Sequence, residues 1–156
     1  PLSVTSPGFF IFQTKNTTPA AFANDASNIT YASGKALNKI NAVLKVPTDW
    51  IIDGVEVYEK INESKSKKRF GSDVDAGYVM QTIKLGHSVY RNVDVEATKK
   101  IEGNTAKLVY NYQYGTDPSG IDAEASMKNG AKIVYMDTNN STSDFHERKQ
   151  FSLRDK

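Results

Sequence analysis

The stretch DWIIDGVEVYEKI, residues 49–61, alternates apolar and polar side chains. A period of two is that of a strand whose successive side chains point to opposite faces. Val55 and Val57 fall on one side, Glu56 and Tyr58 on the other, and Asp53-Gly54 marks a bend or bulge. Upstream, Ser6-Pro7-Gly8 reads as a turn that leads into FFIFQ, a buried first strand. Residues 14–34, rich in Asn, Thr and Ala, read as a surface loop. In ALNKINAVLKV, residues 36–46, Ala36, Ile40, Val43 and Leu44 stand at helical spacing, which predicts a short helix before Pro47 or, equally, an irregular crossover.

Downstream, residues 61–77 form a polar, charged connection. GYVMQTIKLG (77–86) and HSVYRNVDVEA (87–97) read as two strands. KLVYNYQYG (107–115) sets Leu108, Tyr110, Tyr112 and Tyr114 on one side of another, and AKIVYMDT (131–138) is the last. One helical turn is expected around Ala123 to Met127. Short strands of period two separated by long loops predict a mainly β fold, an antiparallel sandwich with one or two short helices. No linker divides the sequence, so residues 1–156 are expected to form one domain.

Composition narrows the chemistry. The 156 residues include 38% apolar ones, and mean hydropathy is −0.52, enough for thin layers under a wet surface. Twenty basic residues against 18 acidic ones create no field that would draw nucleic acid. Cysteine is absent, which removes disulfides, thiolate metal sites and cysteine nucleophiles. No apolar run reaches the ~18 residues of a membrane span. The sequence opens at Pro1 without a signal peptide, and a processed product or fragment is expected.

Motifs for catalysis are weak. GHSVY, residues 86–90, has the first glycine and the serine of a nucleophile elbow, but Tyr90 stands where the second glycine belongs. The two histidines, His87 and His146, read as surface or strand residues. Acid pairs such as Asp53/Glu56, Asp73/Asp75 and Asp122/Glu124 read as turn-forming and solvated, with an acid- or calcium-dependent hydrolase as the alternative. The expectation is a protein that is not an enzyme.

Binding candidates remain. DTNNSTSDF, residues 137–145, alternates Asp137, Asn139 and Ser141 as the first oxygen ligands of a calcium loop do. Thr142 and Arg148 stand where such a loop needs glycine and glutamate. Asx and Ser/Thr turns are therefore favoured, with Phe145 closing the end of the core, and no cofactor is expected. Lys67, Lys68 and Arg69 crowd a loop that reads as solvated, with phosphate or an acidic partner as the alternative. Tyr110, Tyr112 and Tyr114 read first as one half of a sandwich core, with a stacking row for a glycan or a protein as the alternative.

Several of these segments fall in a shared order. DTNNSTSDF after an apolar strand, PGFFIFQ (7–13), DWIIDGVEV (49–57), KKRFGSDVDAGY (67–78) and GHSVYRN (86–92) together resemble an uncharacterised family of Bacteroidetes surface lipoproteins. The resemblance runs from about Pro7 to Phe145. Family members join an upstream immunoglobulin-like, carboxypeptidase-regulatory-type module to a sandwich similar to the lamin-tail domain. The family's "Asn-Glu-Ile" start and "Glu-Ile-Tyr-Asn" strand have no counterpart here, so the chain is expected to be the C-terminal part of such a lipoprotein. The resemblance carries no catalytic residues. It implies the outer membrane and cell surface, attachment through an upstream lipid anchor, and a role in binding or assembly beside an outer-membrane transporter.

Overall fold

The computed structural model describes residues 8–31, 34, 36–38, 41–82, 86–110 and 117–149. The chain divides into two compact units, residues 10–54 and residues 1–9 with 55–156.

The smaller unit is built on aromatic packing. Strand β1 (Gly8–Phe12) leads into helix α1 (Pro19–Asn24), where Thr18 accepts from the Ala21 amide across 3.1 Å and proline takes the first helical turn. Proline there removes an N–H that has no helical partner in any case. From α1, Phe22 turns inward at 4% exposure, its ring 4.9 Å from that of Trp50 and 6.3 Å from that of Phe12. The Gln13 amide donates to the Trp50 carbonyl, which ties the end of β1 to the start of β4 (Ile51–Glu59).

Two further strands complete this unit. β2 (Ile29–Tyr31) pairs antiparallel with β3 (Ala42–Leu44), Ile29 facing Leu44 and Tyr31 facing Ala42. The helical spacing of residues 36–46 is thus overridden over Ala42–Leu44, where a β-branched valine between Ala42 and Leu44 pairs across the ribbon. Residues 14–34, expected as a loop, contain α1 and β2. FFIFQ is a strand as expected over Phe9–Phe12, but Phe9, Phe10 and Ile11 are 40–61% exposed rather than buried.

In the larger unit β4 continues as residues 55–59 and pairs parallel with β5 (Val79–Gln81), Val57 opposite Val79. Both faces of β4 are buried here: Val57 on one side, Glu56 and Tyr58 on the other. Tyr58 stacks flat on Tyr78, with ring centroids 4.1 Å apart. β6 (Ser88–Arg91) pairs antiparallel with β7 (Phe145–Arg148), Ser88 opposite Arg148 and Arg91 opposite Phe145.

Short helices follow in the same unit. HSVYRNVDVEA stops being a strand at Arg91. Asp94 accepts from the Ala97 amide at 2.9 Å and starts α2 (Val95–Lys100), which ends on Lys99 and Lys100. A capping aspartate and cations at the C-terminal turn favour helix over strand. α3 (Ala123–Lys128), capped by Asp122, stands where the helical turn was expected. α4 (Ser141–Asp144) lies inside DTNNSTSDF.

AKIVYMDT stays extended but forms a single isolated bridge, Tyr135 to Val93. Buried side chains replace the missing ladder. Asn104 holds the Lys132 amide and carbonyl and the Thr98 carbonyl at 2.7–2.8 Å, and the Thr98 hydroxyl joins Val134. Around them Val93, Ile121 and Ala123 form a core against Val95, Leu108 and Ile133. KLVYNYQYG begins with the end of a tight helical turn, Thr105–Lys107, and Tyr110 makes an isolated bridge to Ile121; residues 111–116 lie outside the described residues. Antiparallel pairs, the parallel β4–β5 pair and short helices are therefore present among the described residues.

Candidate functional site

DTNNSTSDF is a clasp. Asn140 caps α4 by accepting from the Thr142 amide, and Asp144 turns back to accept from the Thr138 amide and hydroxyl at 2.7 and 2.8 Å. The Asn140 cap is of the expected Asx kind, and Asp144 adds a second local cap of its own. The segment also reaches outward. The Ser141 hydroxyl and amide donate to Asp75 at 2.8 and 2.9 Å, and Thr142 exchanges two bonds with the Tyr78 backbone. Asn92 holds the Asp144 carbonyl through its amide and the Ser143 carbonyl through its side chain.

Asp75 is fully buried and saturated. Beside Ser141, it accepts from the Gly77 amide at 2.9 Å and the Glu56 amide at 3.0 Å. Burial pushes its pKa up, but the bonds from Ser141, Glu56 and Gly77 outweigh it and hold the carboxyl below the usual aspartate value. Glu56, also without exposure, meets Lys68 at 2.5 Å and the Arg69 amide at 2.6 Å. Lys68 lies 3.9 Å from Asp75 as well. Two buried acids thus face one lysine and a set of amides, an arrangement that neutralises charge within the fold.

β7 carries the second cluster. Its alternation sends His146 and Arg148 inward, 6% and 1% exposed. The Arg148 Nε–H donates to His146 Nε2 at 3.0 Å, and its Nη1 meets Glu124 of α3 at 2.9 Å. The same guanidinium lies 3.5 Å from the centre of the Tyr90 ring, a cation–π contact. His146 Nδ1 sits 2.6 Å from Asn92 Oδ1. Burial, joined by the Arg148 charge, lowers the His146 pKa below the ordinary imidazole value against the pull of Asp117 and Glu124.

Two clefts border this strand. One of about 230 Å³ is lined by Tyr90, Arg91, Glu124, Tyr135 and Arg148. The other, about 340 Å³, is lined by Tyr78, Met80, Ser141, Phe145, His146 and Glu147. Both are at or below the small end of ligand sites.

The residues singled out in the sequence are dispersed. Lys68 is drawn into the Glu56–Asp75 cluster, while Lys67 and Arg69 keep exposed positions. Tyr110 is 44% exposed, and Tyr112 and Tyr114 lie outside the described residues. Asp137 is exposed and 3.7 Å from Arg91 Nη1. Asn139 is exposed in a left-handed conformation with φ 52°, and Ser141 is buried on Asp75. Among the described residues no three His, Cys, Asp or Glu side chains converge as metal ligands. His146, read as a surface or strand residue, is a strand residue and buried. The signal that finds it is HER after Phe145, where alternation puts His146 and Arg148 on one face.

Among the described residues no helix is long and apolar enough to cross a membrane. No curated protein and no solved structure matches the chain. One family model matches residues 1–152, nearly the whole length. The chain therefore belongs to the uncharacterised family described as protein of unknown function (DUF4876).

Proposed function

We propose that the chain is a non-enzymatic binding or assembly module of a Bacteroidetes cell-surface lipoprotein. An upstream lipid anchor holds it at the outer membrane, where it serves as an accessory subunit of a transporter complex. In this reading its strands belong to a lamin-tail-like β-sandwich, completed by family segments outside this chain.

The β2–β3 ribbon carries the proposal. Tyr31 and Leu44 share one face at 39% and 40% exposure, while Val43 on the opposite face is 45% exposed. A two-stranded ribbon with apolar residues open on both faces is marginal in water, and covering one face stabilises it. Leu37 (79%) and Ile52 (62%) add to the apolar surface of the same unit. Residues 10–54 are also poor in charge, with four lysines and three aspartates. Depletion of charge at an apolar surface suits a protein partner. In the other unit, Glu56, Asp75, Glu124 and Arg148 are engaged in bonds that hold the fold.

Purification of the native protein from detergent-solubilised outer membranes tests the proposal. The expected result is a complex with a membrane protein. Recovery of the protein free and in the cytoplasm defeats it.

A glycan-binding reading draws support from the cleft where the exposed Tyr135 stands beside the Glu124–Arg148 pair. Aromatic faces with a charged hydrogen-bonding pair are the groups that hold a sugar ring. Calorimetry with mono- and disaccharides and with Tyr135→Ala decides it: heat lost in the variant supports the reading, and no heat with the parent chain removes it. Thermal melts with calcium and with chelator, repeated on Asp137→Ala, test the calcium-dependent hydrolase alternative. Unchanged transitions remove its metal-dependent form.

A further inference from the structure

His146 is wedged between an acceptor and a permanent donor. Asn92 Nδ2 donates to the Ser143 carbonyl at 2.7 Å, which turns Oδ1 of that amide toward His146 Nδ1, 2.6 Å away. Nδ1 must therefore carry the proton. On the other side the Arg148 Nε–H points at Nε2 across 3.0 Å. A guanidinium cannot give up that hydrogen near neutral pH, so Nε2 must be the bare acceptor. The geometry locks His146 neutral, in the Nδ1–H tautomer.

We propose that His146 is a proton-operated latch on β7: its protonation breaks the Arg148 bond and frees the strand from β6. An imidazolium would set N–H against N–H at 3.0 Å and place a second cation beside Arg148. Among the described residues, these groups face His146. α3 contributes Glu124, already bonded to Arg148, and Asp117, next to Pro118, lies near as well; both favour the cation. β6 contributes the Tyr90 ring, 6.1 Å away, and Arg91, whose guanidinium lies over Phe145. β5 presents Val79, Met80 and Gln81, none charged, and Asp144 of α4 is turned to Thr138. Release of β7 would open both clefts, because Arg148 lines one and His146 the other.

The sign follows from linkage. A lowered folded pKa means that the unfolded or released strand binds the proton more tightly. The latch is fully closed above the ordinary histidine value near 6.5 and weakens as pH falls from there toward the lower folded value. Amide hydrogen exchange of residues 145–148 in the full chain, corrected for intrinsic rates, is the test. Between pH 7.5 and 5, exchange is expected to speed up by about tenfold for each unit of pKa depression spanned. In His146→Gln, whose carbonyl accepts from Arg148 without titrating, the acceleration is expected to vanish. A parent chain with the same corrected rates at both pH values overturns the proposal, as does a folded variant that keeps the acceleration. Should the variant not fold, nitrogen NMR of His146 in the parent chain decides: bare Nε2 at pH 7.5 supports the latch, and a protonated Nε2 there overturns it.

Discussion

The hydroxyl of Ser141 donates to the carboxylate of Asp75 across 2.8 Å, joining residues 66 apart in the chain, and the Ser141 amide donates to the same carboxylate. Through this contact the polar segment before β7 becomes part of the interior. The start of β7 is set by what lies beneath α4, since Ser141 and Asp144 at its two ends are both 2% exposed.

Asp75→Asn keeps the shape and replaces a charged acceptor that takes four donors. One amide nitrogen must then point a hydrogen at a backbone N–H or the Ser141 hydroxyl. The expected loss is about 3 kcal/mol of unfolding free energy, measured by urea titration. The substitution should also change the acid limb of the stability curve. Because the Asp75 pKa is lowered, its contribution is whole above the unfolded aspartate value of 3.8 and is lost as pH falls below it toward the folded value. The variant should lack that loss, whereas an unchanged acid limb argues against the assignment.

Gly77 lies where the clasp approaches the backbone most closely. A Cβ there would stand 2.1 Å from Asn140 Oδ1 and 2.6 Å from the Thr142 amide nitrogen. Backbone cannot yield as a flexible side chain does, so Gly77→Ala should cost about 2 kcal/mol and lower the melting temperature. An unchanged melt would mean that α4 is not seated on residues 75–78.

Lys68 stands in a basic run, and the structure gives it a buried acid. Lys68→Ala leaves Glu56 the Arg69 amide but removes the ammonium that meets its carboxylate. A loss of about 2 kcal/mol is expected. In a double-mutant cycle with Glu56→Gln the two losses should not add. Full additivity would show that the pair is not coupled.

The parts of the fold legible in the sequence are those where local pattern and tertiary packing agree. The alternation of residues 49–61 names β4, and the polar start at Asp122 with Ala123 to Met127 names α3. The pattern fails where a neighbour decides. Val95 sits in a run of period two, yet the Asp94 cap turns it into helix. Val43 and Leu44 stand at helical spacing, yet pairing with Thr30 and Ile29 makes them strand. The site was less legible for the same reason. Glu56 alternates as a solvent-facing residue should, and its burial depends on Lys68, 12 positions away. Phe145 to Arg148 is too short and polar to announce a strand, and its inward pair finds partners on β6, α3 and the residue after β6.

The most direct measurement is the size of the native assembly in solubilised outer membranes, compared between the parent chain and a Tyr31→Ser, Leu44→Ser variant. Both side chains are about 40% exposed, so the variant should fold with a melting curve near that of the parent. The account predicts that the parent migrates with a larger partner and the variant migrates free of it. A parent chain that migrates free, or a variant that stays in the complex, would contradict it.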